Sequence, residues 1–198
     1  MPDRYDLNAL LGSRICHDLI SPIGAIGNGV ELLIMDGAHQ GPEIALIAES
    51  VASANARIRF FRIAFGASAT DQRIGRPEVQ NILADLTRGG RLTIDWNGPP
   101  DLQRREVKLL FLLVMCLETA MAYGGRITVD HEEGRWLLTG LAQKLKSDPD
   151  LWAMLTRPAA GHPVTAAQVH FALTPEELAR QNRKIGVEIQ DATIRLSL

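Results

Sequence analysis

Apolar residues recur along the first third of the chain at the spacing of a helix rather than a strand. Leu7, Leu11, Ile15 and Leu19 follow at intervals of four, and Ile23, Ile26, Val30 and Leu33 carry the stripe on at intervals of three and four. The pattern predicts a helix from Tyr5 to about Asp36, broken by the glycines of "GAHQG" (37–41). A second helix begins near Pro42, a residue suited to a first helical turn. Its apolar positions, Ile44, Ile47, Val51, Ala54, Ile58, Phe61 and Phe65, alternate intervals of three and four, the period of a bundle seam.

Two long helices joined by a short turn form an antiparallel hairpin with apolar faces left bare. Either a second copy of the chain or the second half of the same chain must cover them. The alanine flank of the second helix (Ala45, Ala48, Ala52, Ala56) admits another helix closely, so a dimeric four-helix bundle is the simpler solution. Residues 66–78, "GASATDQRIGRPE", are small and polar and read as a linker. The remainder reads as α+β. "EVQNILADLTRG" is a helix ended by glycine, and "RLTIDWNGPP" is a strand and turn. "DLQRREVKLLFLLVMCLETAMAYGG" is a helix with Asp101 as its N-cap. A hairpin around Glu133-Gly134, a capped helix in "SDPDLWAMLTRP", one or two helices in "TAAQVHFALTPEELARQNR" and a closing hairpin in "GVEIQDATIRLSL" complete the chain. The expected organisation is a helical hairpin at 1–70 and a domain at 76–198 built as a sheet covered on one face by helices.

Composition narrows the class. Among 198 residues, 46% are apolar and 22% charged, ordinary for a soluble globular protein. Net charge is −2 with the signs mixed, which makes no electrostatic case for nucleic acid or an anionic membrane. The greasiest run, "VKLLFLLVMCL" (107–117), is too short to span a bilayer and reads as a buried helix. No apolar segment follows a basic start, so no signal peptide is expected. Cys16 and Cys116 both lie inside apolar helical patterns, which fits buried, reduced thiols and a cytoplasmic protein.

The chemistry concentrates in "SRICHDLISPIGAIGNG" (13–29). On a helix the face of His17 carries Arg14, Ser21, Gly24, Asn28 and Glu31, none of them large and apolar. The imidazole is therefore expected to face solvent or a partner, with small neighbours leaving room for a bulky group. A neutral imidazole is a competent nucleophile, and Asp18 could fix its tautomer or accept a proton. Pro22 lacks a backbone N–H and frees the Asp18 carbonyl, loosening the helix beside the pair. These features match phosphoryl transfer, in which positioning and charge neutralisation do most of the work. The remaining histidines (His39, His131, His162, His170) show no metal-ligand spacing. Glu118, in an otherwise apolar helix, is expected to mark its polar edge. Trp96, Trp136 and Trp152 read as packing residues.

"CHDLISPIGAIGNGVELL" resembles the phospho-acceptor box of two-component histidine kinases, where the His is followed by an acidic residue and, five residues on, a proline. More closely it resembles the ChpT-type histidine phosphotransferases of alphaproteobacteria, along the whole chain. The resemblance implies a homodimer with a central four-helix bundle, followed by a degenerate histidine-kinase ATPase-like α/β sandwich domain. It implies that His17 accepts a phosphoryl group from the receiver domain of a hybrid histidine kinase and passes it to response regulators of the cell cycle. Asp18 takes the acidic position of the box. Arg14, Ser21, Pro22 and Asn28 are the candidate receiver contacts. No cofactor is expected on this chain; Mg²⁺ would come with the receiver.

Whether the second domain binds ATP separates the readings. Kinases of this type carry an asparagine in a pattern like "NAxKY"; aligned with "TAMAY" (119–123), Thr119 stands at the asparagine position and Ala122 at the lysine. The region of the "DxGxG" adenine box, "LTGLAQKLKSDPD", lacks that spacing, and Gly161 and Gly186 are isolated. Gly89-Gly90 and Gly124-Gly125 follow helices and read as helix stops rather than phosphate loops. The expected activity is phosphohistidine relay without ATP. The alternatives are an ATP-dependent kinase with an atypical site, and a non-catalytic dimer that docks receivers.

Overall fold

The computed structural model describes residues 14–15, 18–19, 22–26, 28–29, 32, 42–66, 72–158 and 162–198. Every described residue from 14 to 32 is helical. This segment runs antiparallel to α1 (Pro42–Ala64). At one end Asp18 lies 3.8 Å from Arg57, and at the other a Cβ on Gly29 would fall 2.5 Å from the Ile47 side chain. Glycine at that position is what lets the two helices approach. The expected helix start near Tyr5 and the turn at 37–41 lie outside the described residues.

Part of the expected linker is structured. Residues 73–75 form β1 (Arg73–Gly75), and α2 (Arg76–Thr87) follows at once with Pro77 in its first turn. Gly75 and Pro77 therefore punctuate a helix start, a position that proline suits because its missing N–H would have no helical partner there. β1 pairs antiparallel with β3 (Asp101–Gln103). Asp101 is consequently not a helix cap: its carboxylate binds Arg73, and Gln103 stands at the N-cap of α3 (Arg104–Ala120).

The main sheet contains β2 (Leu92–Asn97), β4 (Gly125–Glu132), β5 (Arg135–Leu141), β6 (Gly186–Ile189) and β7 (Thr193–Ser197) in the order β2-β4-β5-β7-β6. Only the β2–β4 pair is parallel, with α3 lying in the crossover. The β4–β5 turn holds Glu133 and Gly134 at φ of 49° and 78°, both positive as a two-residue primed turn requires. Ile127, Val129, Trp136, Leu138, Ile194 and Leu196 alternate onto one buried face. Arg126, Leu137 and Arg195 leave the other face open. Helices α4 (Pro149–Thr156), capped by Asp148, and α5 (Val169–Arg180) complete the cover.

α3 is the centre of the packing. Every residue from Leu109 to Leu117 is buried, so the helix needs cover all round. Part of that cover comes from the end of α1. Phe60, Phe61, Ile63 and Ala64 enter the same core, and Phe60 stacks on Phe111 at 4.5 Å and 7°. Arg104 donates to the Arg62 carbonyl at 2.8 Å and Lys108 to the Gly66 carbonyl at 2.9 Å, satisfying carbonyls at the end of α1. The α1 seam thus divides. Ala54 and Phe61 are covered within the chain, whereas Ile44 (40%), Val51 (40%) and Ile58 (47%), seven residues apart, stay exposed.

α5 covers α3 on another side through polar contacts. The Thr119 hydroxyl donates to the Met115 carbonyl at 2.9 Å and lies 3.0 Å from His170 Nε2. The Cys116 thiol is 3.9 Å from the Thr174 hydroxyl. Burial pushes the Cys116 thiol well above its ordinary range. Burial, with the nearby Arg14 charge, pushes His170 down to about 3.

Two outcomes follow. Phe60→Ala removes the stack on Phe111 and should cost about 3–5 kcal/mol in urea denaturation. An unchanged midpoint would show that α1 is not part of the core. His170 stays neutral in the folded chain while the unfolded chain takes up a proton below its ordinary value of 6.5. Its contribution is therefore full above 6.5 and is lost progressively as pH falls toward 3. His170→Gln should shrink the fall in melting temperature between pH 6.5 and 4, read by circular dichroism, and a profile parallel to the parent would refute this.

Candidate functional site

His17 and Ser21 lie outside the described residues, so the site is built from their neighbours. Asp18 follows His17 directly. Its side chain is only 8% exposed, and Oδ2 lies 2.7 Å from an Arg14 guanidinium nitrogen and 3.8 Å from Arg57. The Arg14 pair joins residues one turn apart on the same helix, while Arg57 reaches across from α1. A carboxylate so engaged is acting as an anchor for cations.

Arg14 also leaves the expected face. Its second guanidinium nitrogen donates to the Ala167 carbonyl at 3.2 Å, in the short 3₁₀ turn Ala166–Gln168 ahead of α5. The side chain is committed to its own chain rather than offered to a partner. Gly24 and Asn28 are exposed, and a Cβ on Gly24 would meet nothing within 4 Å. Room therefore exists on that part of the helix. Pro22 is half-buried and lines a groove of about 460 Å³ between the helical segment and α1, with Asp18, Ala25, Leu46, Ser50 and Arg57.

Glu118 stands at a polar edge of α3, among charged side chains of the hairpin. It is half-buried near Arg57, Arg14 and Asp18, and burial pushes its carboxyl up against the opposing pull of Arg57 and Arg14. Arg57 and Glu118 together line a second cavity of about 330 Å³. Sequence reasoning missed Arg57, which follows buried Ala56 and carries no motif. The available signal was Glu118 itself, since a carboxylate within a buried run calls for a cation.

The other candidates settle into packing roles. His131 lies with its ring centroid 4.6 Å from that of Trp136, and His162 lies 3.8 Å from Asp148. Trp96, Trp136 and Trp152 are all buried. The Gly90 N–H binds the Thr87 carbonyl and the Gly124 N–H the Met121 carbonyl, so both glycine pairs close helix ends. Among the described residues no group of three His, Cys, Asp or Glu could hold a metal ion, and no helix is long and apolar enough to cross a membrane.

Comparison with known proteins addresses the same chain. The family model of the histidine phosphotransferase C-terminal domain matches residues 76–193. The protein phosphotransferase ChpT of Brucella abortus (strain 2308) is 34% identical over 194 residues, covering 94% of this chain and 92% of the relative. A solved structure of a bacterial phosphotransferase superposes with a TM-score of 0.83 at 34% identity, covering 100% of this chain and 97% of the other. The chain belongs to the histidine phosphotransferase family: it is a ChpT homologue, a transferase of the phosphorelay.

Proposed function

We propose that His17 is the phosphoryl acceptor of this transferase. The observation that carries the reading is that "HDLISP" alone joins a histidine, an acidic neighbour and a proline five residues on, in a chain of this family. The described histidines are engaged elsewhere, His162 lying 3.8 Å from Asp148. His131 is followed by Glu132 but sits on β4 against Trp136, and His170 is buried and neutral.

A ring-nitrogen lone pair of neutral His17 attacks the phosphorus of a receiver's aspartyl phosphate. The N–P bond forms as the P–O bond breaks, the aspartate leaves as a carboxylate, and the second ring nitrogen keeps its proton. The reverse displacement on a second receiver returns the free imidazole. The donor is the receiver of a hybrid kinase and the acceptors are response regulators, with Mg²⁺ belonging to the receiver. The open helix around Gly24 and Asn28 is where a receiver would sit.

Two observations support relay without ATP and as a dimer. Thr119, at the position of the kinase asparagine, has its hydroxyl engaged by Met115 and His170, and α5 packs directly on α3 there. That arrangement leaves no side chain at the position to hold a metal-bound triphosphate. Ile44, Val51 and Ile58 form an exposed apolar stripe at heptad spacing, the pattern that a second hairpin would bury.

Incubation with a receiver carrying labelled phosphoaspartate should label the protein, while labelled ATP alone should not. Labelling that survives His17→Ala would overturn the acceptor assignment, and labelling from ATP would favour a kinase. Val51→Asp should convert the dimer to monomer in analytical ultracentrifugation by placing an unpaired charge in the seam. A dimer of unchanged strength would remove that stripe from the interface.

A further inference from the structure

We propose that Arg57 is a positioning residue for phosphoryl transfer: with Arg14 it closes a clamp on Asp18 that ties the acceptor segment to the second domain. The proposal rests on the reading of His17 as acceptor.

The clamp has contacts on both sides. Asp18 Oδ2 lies near two guanidinium groups, at 2.7 Å from Arg14 and 3.8 Å from Arg57. Each arginine also reaches the second domain. Arg14 donates to the Ala167 carbonyl at 3.2 Å, immediately ahead of α5. Arg57 forms the wall between two cavities, sharing one with Asp18 and the other with Glu118 of α3. Two guanidinium groups and two carboxyl groups are thus gathered, and the Asp18 carboxylate is nearly enclosed. Removing Arg57 takes away the cation that reaches Asp18 from α1, while Arg14 still holds the carboxylate at 2.7 Å.

Its place explains why it would matter for transfer. Adjacent residues leave a helix about 100° apart, so a clamp on Asp18 fixes the rotation of the helical segment that follows residue 17 in the chain. A nucleophile must meet phosphorus in line, and a misplacement of about 1 Å can cost roughly a hundredfold in rate. The apolar contacts of the hairpin, such as Gly29 on Ile47, set the separation of its helices. They fix rotation poorly, because an apolar stripe tolerates small turns about the axis. The 2.7 Å Arg14 contact is directional, and the Arg57 charge at 3.8 Å adds attraction from across the helix pair. The looser Arg57 pair is the one that spans the two helices, and so the one through which α1 and α3 act on the acceptor segment.

Single-turnover transfer from a receiver carrying labelled phosphoaspartate tests this with the full-length chain. Arg57→Ala should lower the maximal rate at saturating receiver by roughly tenfold, with the half-saturating receiver concentration and the melting temperature unchanged. Arg57→Lys should recover most of the loss. In the Glu118→Gln background, Arg57→Ala should cost less than it does alone, because the two side chains act as one unit. A parental rate in Arg57→Ala, or a loss confined to receiver affinity, would overturn the proposal. Where Arg57→Ala does not fold, Glu118→Gln alone carries the test: it should lower the maximal rate and speed hydrogen exchange of amides 14–32 but not of β4 and β5. Parental rate and exchange in that variant would equally refute it. Labelling of His17→Ala in parallel separates the cases, since persistence of label there removes the acceptor reading whatever Arg57 does.

Discussion

A helix with no polar side persists in water only when something covers it on every side, and α3 imposes that condition on the rest of the molecule. Its buried run from Leu109 to Leu117 is wrapped by the β5 side of the sheet, by α5 and by the aromatic end of α1. The Phe60–Phe111 stack makes the last turns of α1 part of the core rather than a tether to it. Because α1 is continuous from Pro42 to Ala64, anything that α3 fixes is transmitted along α1 to the hairpin.

Neighbouring turns near the end of α1 are held by different forces. Near Phe61 the contacts are apolar, and they are closed over by arginine and lysine on helix-end carbonyls. Beside Asp18 they are charged. Further along, Ile44, Val51 and Ile58 lack cover. Apolar burial favours closeness without specifying rotation, whereas ion pairs specify direction at small net stability.

The direct packing of α5 on α3 gives the second domain its character. Here the Thr119 hydroxyl is engaged within the chain and the neighbouring His170 is neutral and buried. The domain braces the hairpin through the packing of α3 on the end of α1.

Local pattern alone determined much of this protein. The Glu133-Gly134 hairpin, the Asp148-capped helix and the buried nature of 107–117 were legible because each depends on residues adjacent in the chain. The short β1–β3 ribbon was not legible, since three-residue strands have no readable period and Asp101 looks like a cap until its ion pair with Arg73 is known. The same holds at the site. His17, Asp18 and Pro22 identify themselves by spacing, because the histidine, its acidic neighbour and the proline five residues on are close in the chain. That Asp18 holds two arginines, that Arg14 turns toward Ala167, and that Glu118 faces Arg57 were decided only by the tertiary structure. Charges far apart in sequence acquire partners only when apolar burial has brought their helices together, and no local pattern records which faces that burial will join.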